Sequence, residues 1–189
     1  MDEYTDRSVV WPLLEGLPLL APTYFVTGNH ENFLEDRDEL LRDIADCGVQ
    51  VLHNDFVTLE RGGERLILAG TEDYFGWQDP QTPKHLLDRI RADGSDPFVV
   101  MLYHRNNHLR LWNQLDVDLV LSGHGHGGVI RLPFVGGLLG VERTLFPKDC
   151  EGLYQGKRTV QAVSRGVGGA RLWNPPHLPT ICLTRQCEP

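Results

Sequence analysis

The chain has no stretch of about twenty uninterrupted apolar residues, so no membrane-spanning helix is expected. Its longest apolar run, Val9 to Ala21, is broken by Pro12, Glu15, Gly16 and Pro18. The opening MDEYTDR is acidic and lacks the basic start of a secretory signal peptide. Cysteine is scarce: Cys47, Cys150, Cys182 and Cys187 occur, and none forms a CxxC pair. A chain that is neither short nor signal-bearing is not expected to rest on disulfides. Free thiols in a reducing, cytoplasmic setting are the expectation. There is no basic surplus either. Lys and Arg number 18 against 26 Asp and Glu, a net charge of −8. That excludes broad electrostatic binding to nucleic acid or an anionic membrane, but not a local cationic site, which a bound metal would supply. No GxxxxGK[ST] loop is present, so P-loop nucleotide chemistry is not supported. No repeat, low-complexity tract or linker interrupts the chain, and one domain over 1–189 is expected.

What is present reads as a soluble α/β domain, with 41% hydrophobic and 23% charged residues. Thr23 to Thr27 is a β-prone run that ends in Gly28-Asn29. Phe33, Leu40, Leu41, Ile44 and Ala45 share a helical face, closed by Gly48. Val49 to Leu52 reads as a strand, and Phe56 to Glu60 with Arg65 to Ala69 as a hairpin around Gly62-Gly63. Helices are expected over Lys84 to Ala92 and Asn107 to Leu115, and strands over Phe98 to Tyr103 and Val117 to Leu121. After Gly128 only strands are expected, the best being Val160 to Val163 and Thr180 to Leu183. Strands alternating with helices early, and strands alone late, give a mixed sheet.

Three strand ends carry ligand-type residues. YFVTGNHE ends in Asn29-His30, FVVMLYH in His104, and DLVLSGHGHGG in His124 and His126. Open α/β sheets place ligands beyond the carboxyl ends of their strands, so the three segments can converge on one rim. Imidazole nitrogen and amide oxygen suit zinc, manganese, iron or nickel. The glycines around His124 and His126 let that turn bend so that both rings aim at neighbouring points. Each feature alone has an ordinary reading: a histidine after a strand, a Gly-Asn turn, a flexible glycine loop. The combination, in this order, is what points to a site. His53, His85, His108 and His177 lack this context and read as ordinary histidines. Asp73 reads as a cap or turn former rather than a ligand. Arg105 and Arg131 read as solvated surface, with phosphate contact the alternative, and Trp77, Trp112 and Trp173 as core or interface residues, with pocket lining the alternative.

GNHE (Gly28 to Glu31), His104 after a buried strand, and GHGHGG (Gly123 to Gly128) together resemble the calcineurin-like metallophosphoesterases. VSRGVGG (Val163 to Gly169) followed by NPPHLPTICL is similar to the C-terminal part of their bacterial branch. The resemblance implies a mixed β-sheet sandwich flanked by helices. It implies two divalent metal ions and hydrolysis of phosphate mono- or diesters, with a small-molecule phosphate ester as substrate. Asn29, His104 and His124 would ligate the second metal, and His126 the first. His30 would be the proton donor to the leaving group.

The sequence departs from that family before GNHE, where the DxH motif and the full GDxxD motif are absent. The expectation is an N-terminally truncated domain in which Asp2 is the last Asp of GDxxD and pairs with His30. The first metal then keeps only His126, and the alternative to an enzyme is a non-catalytic metal-binding remnant. Asn106 stands where many relatives carry proline, which bears on the loop's shape and not on the ligand. A metallo-β-lactamase-type site, which needs HxHxDH, is not supported by GHGHGG.

Overall fold

Period-two alternation sorts the central strands into two apolar faces. The computed structural model describes residues 6–73, 81–169 and 171–185. A six-stranded sheet runs in the order β3-β4-β5-β6-β10-β9, from β3 (Asp55–Arg61), β4 (Glu64–Gly70), β5 (Val99–Leu102), β6 (Leu119–Ser122), β9 (Gly152–Gln155) and β10 (Val160–Val163). β4, β5, β6 and β10 are parallel neighbours, and the edge strands β3 and β9 are antiparallel. Ile67, Ala69, Val99, Met101 and Val120 point to one face; Leu68, Val100, Leu119 and Ala162 point to the other.

The first face is covered by α3 (Gln81–Ile90) and α4 (Leu109–Gln114) through Leu86, Leu87, Ile90 and Trp112. Trp112 is fully buried and meets Tyr103 edge-on, with ring centroids 5.0 Å apart. The second face packs on a two-stranded parallel sheet, β1 (Tyr24–Phe25) with β2 (Gln50–Val51), through Tyr24, Val26 and Leu52. Behind it lie α1 (Trp11–Gly16) and α2 (Arg37–Asp46), which bury Leu14, Leu40 and Ile44. Each such side chain contributes about 1.5–3 kcal/mol by leaving water. The result is sheet on sheet with helices outside both, the mixed sandwich expected from the sequence. Among the described residues no helix is long and apolar enough to cross a membrane.

The β3–β4 hairpin turns at Gly62 and Gly63, with φ of 61° and 82° that only glycine takes readily. After Gly128 the described chain holds only strands, adding β7 (Ile130–Leu132) and β8 (Gly136–Leu139). Two readings are corrected. Thr180 to Leu183 forms no strand; Ile181 and Leu183 are exposed and no ladder pairs them. Phe33 leaves the helical face, because a short 3₁₀ turn at Glu31–Phe33 precedes α2 and turns Phe33 outward. Cys47, Cys150 and Cys182 are free thiols; Cys187, Trp77 and Asp2 lie outside the described residues.

Candidate metal centre

β5 and β6 are parallel neighbours and leave the sheet in step. Tyr103 N donates to Leu121 O (3.1 Å) and Gly123 N to His104 O (3.0 Å). His104 and His124 therefore emerge side by side, each two residues past its strand. β1 delivers Asn29 from the second sheet to the same rim. The Asn29 Oδ1 atom lies 2.9 Å from His104 Nε2 and 3.1 Å from His124 Nδ1, and the two ring nitrogens are 3.1 Å apart.

Three atoms with lone pairs thus face one another in a nearly equilateral triangle. Hydrogen bonding alone serves this poorly, because the oxygen only accepts and a neutral imidazole offers one N–H. A cation would satisfy all three. With bonds of about 2.1 Å, adjacent ligands of an octahedral ion stand about 3.0 Å apart, which is the edge seen here. Among the described residues no group of three His, Cys, Asp or Glu is placed to hold a metal. The triangle qualifies on donor chemistry because Asn29 contributes an amide oxygen. The residues fit a divalent ion of the imidazole-accepting kind.

The surroundings hold the triangle in place. Gly28 gives the His104 ring room: a Cβ there would lie 2.9 Å from His104 Cε1 and Nδ1. Gly28 N donates to Glu31 Oε2 at 2.6 Å, tying GNHE into a closed turn. His124 and His126 themselves adopt left-handed backbone, φ 58° and 52°, a strained state that persists where surrounding contacts enforce it. Asn174 supplies part of that enforcement, donating to His126 O (2.5 Å) and Gly128 O (2.7 Å). Arg131 Nη1 donates to Gly127 O at 2.8 Å, and its Nη2 pairs with Glu151.

His126 sits differently from the other two. Its Nδ1 is 3.3 Å from Arg171 Nη2, and no hydrogen bond joins its ring to the triangle. His30 is exposed at the rim beside Asn29. Asp2, expected to pair with it, lies outside the described residues.

Several other readings change. Arg105 is not solvated: it is buried, and its Nε donates to Asp73 Oδ1 at 2.7 Å. Asp73 is fully buried and accepts from Arg105; the segment that follows it lies outside the described residues. Arg131 is half-buried and braces the histidine loop. Trp112 is core as expected, whereas Trp173 is 66% exposed. His53 joins Glu72 (3.3 Å), His108 packs on Tyr103, His85 is exposed, and His177 accepts from Arg165 N (3.4 Å). None of these four approaches the triangle through a hydrogen bond. Asn106 Nδ2 donates to Asp149 O at 2.6 Å, a side-chain bond that proline could not make, and its backbone carbonyl accepts from Gln161 Nε2.

Residues 2–128 match the family model described as calcineurin-like phosphoesterase. The chain belongs to that family. The chain is 30% identical over 174 residues to the metallophosphoesterase YkuE of Bacillus subtilis (strain 168), covering 90% of this chain and 58% of the relative. It is 36% identical over 164 residues to a metallophosphoesterase of Helicobacter pylori (strain J99), covering 86% of this chain and 41% of the relative. It is 28% identical over 137 residues to the phosphodiesterase YaeI of Escherichia coli (strain K12), covering 71% of this chain and 48% of the relative. The chain thus spans about half the length of these relatives. No solved structure matches it.

Burial sets these imidazoles apart from ordinary histidines. Loss of water pushes His104 down to about 4, against the pull of Glu31 and helped by the charges of Arg105, His126 and His30. Burial pushes His124 down to about 4 as well, with His104 and Arg105 acting in the same sense. His126 is lowered by burial and then by Arg171. Both His104 and His124 therefore keep a lone pair available at neutral and mildly acidic pH. The unfolded chain, with imidazoles near 6.5, takes up protons between pH 6.5 and 4 that the folded chain refuses. Stability from this source is complete above 6.5 and is lost as pH falls toward 4. In the metal-free chain, the Cε1 proton resonances of His104 and His124 are expected to stay unshifted down to about pH 5. Titration of either ring near 6.5 would contradict this placement.

Proposed function

We propose that the chain is a metal-dependent phosphoester hydrolase whose cation is held by Asn29, His104 and His124. The observation that supports this most strongly is the triangle of donor atoms 2.9–3.1 Å apart at the ends of three strands. A divalent cation bound there supplies Lewis acidity toward a phosphoryl oxygen and activates water. The chain's own residues do the rest. His104 and His124, kept neutral by burial, offer nitrogen lone pairs at working pH. Asn29 offers a neutral oxygen, so the site keeps the cation's charge for the substrate. His30, exposed beside Asn29, would be the proton donor to the departing oxygen. Asp2, eight-and-twenty residues earlier in sequence, would hold that ring in orientation by accepting from its other nitrogen. His126 would contribute its imidazole to a second cation. The substrate is a small phosphate mono- or diester, and the surplus of acidic residues disfavours long nucleic acid.

The test combines metal content with turnover. After equilibrium dialysis against Mn²⁺ or Zn²⁺, the chain is expected to retain a cation and to hydrolyse bis-p-nitrophenyl phosphate or p-nitrophenyl phosphate. His30→Ala is expected to lower kcat by about 10²–10⁴-fold with the cation retained. Retention without turnover would instead indicate a metal-binding module that no longer catalyses. Failure to retain any cation would remove the proposal.

A further inference from the structure

A cavity of about 350 Å³ opens beside the donor triangle, a volume within the range of small-molecule sites. His124 belongs to both. Its Nδ1 faces Asn29 and His104, and Glu142, which lines the cavity, stands 4.0 Å from its Nε2. The cavity therefore begins one imidazole ring away from the donor atoms. A group esterified to a phosphoryl held at the triangle has this space next to it.

Much of the lining comes from residues 140–150, which follow β8 and lie beyond residues 2–128, the part that matches the family model. That segment is pinned at both ends. Gly140 N donates to Thr144 O (2.8 Å) and Phe146 N to Leu138 O (2.9 Å), which folds it back onto β8. Gly127 N donates to Cys150 O (3.1 Å) and Asn106 Nδ2 to Asp149 O (2.6 Å), which ties it to the rim that carries the histidines. Phe146 is held at φ 50°, a left-handed state that a bulky residue keeps only where its surroundings enforce it. The wall is thus formed before any ligand arrives.

Its chemistry selects the occupant. Val141, Leu145, Phe146 and Pro147 give the cavity apolar lining, and Leu145 and Phe146 remain exposed to water. Apolar side chains exposed singly need no explanation, but a group of them around a pocket next to a candidate reaction centre marks a binding surface. The charged side chains in the lining, Glu142 and Lys148, are of opposite sign, so their formal charges cancel and attract no second anionic group.

We infer that this cavity receives an uncharged, apolar organic group carried by the ester. The inference rests on the phosphoester reading above and narrows its substrate class. An ester with an aryl group would cover Leu145 and Phe146, whereas one with a sugar or a second phosphate would leave them facing polar atoms.

The experiment compares phenylphosphonate with methylphosphonate, which share a head group and differ in the apolar one. Neither has an ester bond to break, so the readout is binding to the cation-loaded protein in calorimetry. Phenylphosphonate is expected to bind about tenfold or more tightly than methylphosphonate. Phe146→Ala and Leu145→Ser are each expected to shrink that ratio to about threefold or less. Both side chains are exposed, so neither variant is expected to disturb folding. Phe134→Ala, an exposed phenylalanine outside the cavity, should leave the ratio as in wild type. Equal affinity for the two phosphonates, no binding of either, or a ratio untouched by both cavity variants overturns the inference. Turnover of bis-p-nitrophenyl phosphate by the same preparation shows whether the hydrolase reading falls with it or stands without it.

Discussion

His104→Ala is expected to lose the retained cation and to lower kcat/KM by at least about a hundredfold, more than the loss usual for a residue that only supports a metal ligand. The reason is geometric. Three donors 2.9–3.1 Å apart hold an ion as a unit, and removing His104 Nε2 leaves two. The alanine also opens the space that Gly28 reserves for the ring, so Asn29 and His124 lose the packing that aims them. His126→Ala makes the control. It lies outside the triangle, so the variant is expected to keep one cation. Measured by dialysis and metal analysis, equal cation loss in both variants would show that the ion is not held by Asn29, His104 and His124 as a set. Retention in His104→Ala would be equally damaging.

The parts of this site legible in the sequence are those set by local pattern. A buried strand followed at once by a polar ligand-type residue is visible at Asn29, His104 and His124, and parallel pairing of β5 with β6 brings the last two together. The mixed sheet was legible in the alternation of strand and helix patterns before Gly128. What the pattern could not reveal is pairing over distance. Arg105 looked like a surface residue because nothing near it in sequence is acidic, yet its partner Asp73 lies 32 residues away. Asn174, 48 residues beyond the His126 carbonyl it holds, carries no motif that distinguishes it from a turn former. Phe33 failed for a local reason, because a 3₁₀ turn shifts the helical phase before α2 begins.

Asp73→Ala tests the largest of those long-range pairings. Asp73 has no exposed surface, and Arg105 is 8% exposed, so their 2.7 Å contact is made away from water. Removing the carboxylate strips a buried guanidinium of the acceptor for its Nε. Breaking one side of such a pair costs about 3–5 kcal/mol, far above the fraction of a kcal/mol typical of surface pairs. For a chain of this size that lowers the melting midpoint by roughly 10 °C. Replacing both members, Asp73→Leu with Arg105→Met, should recover much of the loss, because two apolar side chains need no partner. The function should not recover with it. Arg105 follows His104 directly, and its charge helps keep both His104 and His124 neutral. Asp73→Ala leaves that charge in place but frees its position, so cation affinity is expected to fall together with stability. The double variant is expected to regain stability while its imidazoles titrate at higher pH than in wild type. Urea unfolding and histidine proton shifts, measured on the metal-free chain, separate the two effects. A cost below about 1 kcal/mol for Asp73→Ala would mean that the buried pair contributes no more than a surface one, and that the rim beneath His104 is held by apolar packing alone.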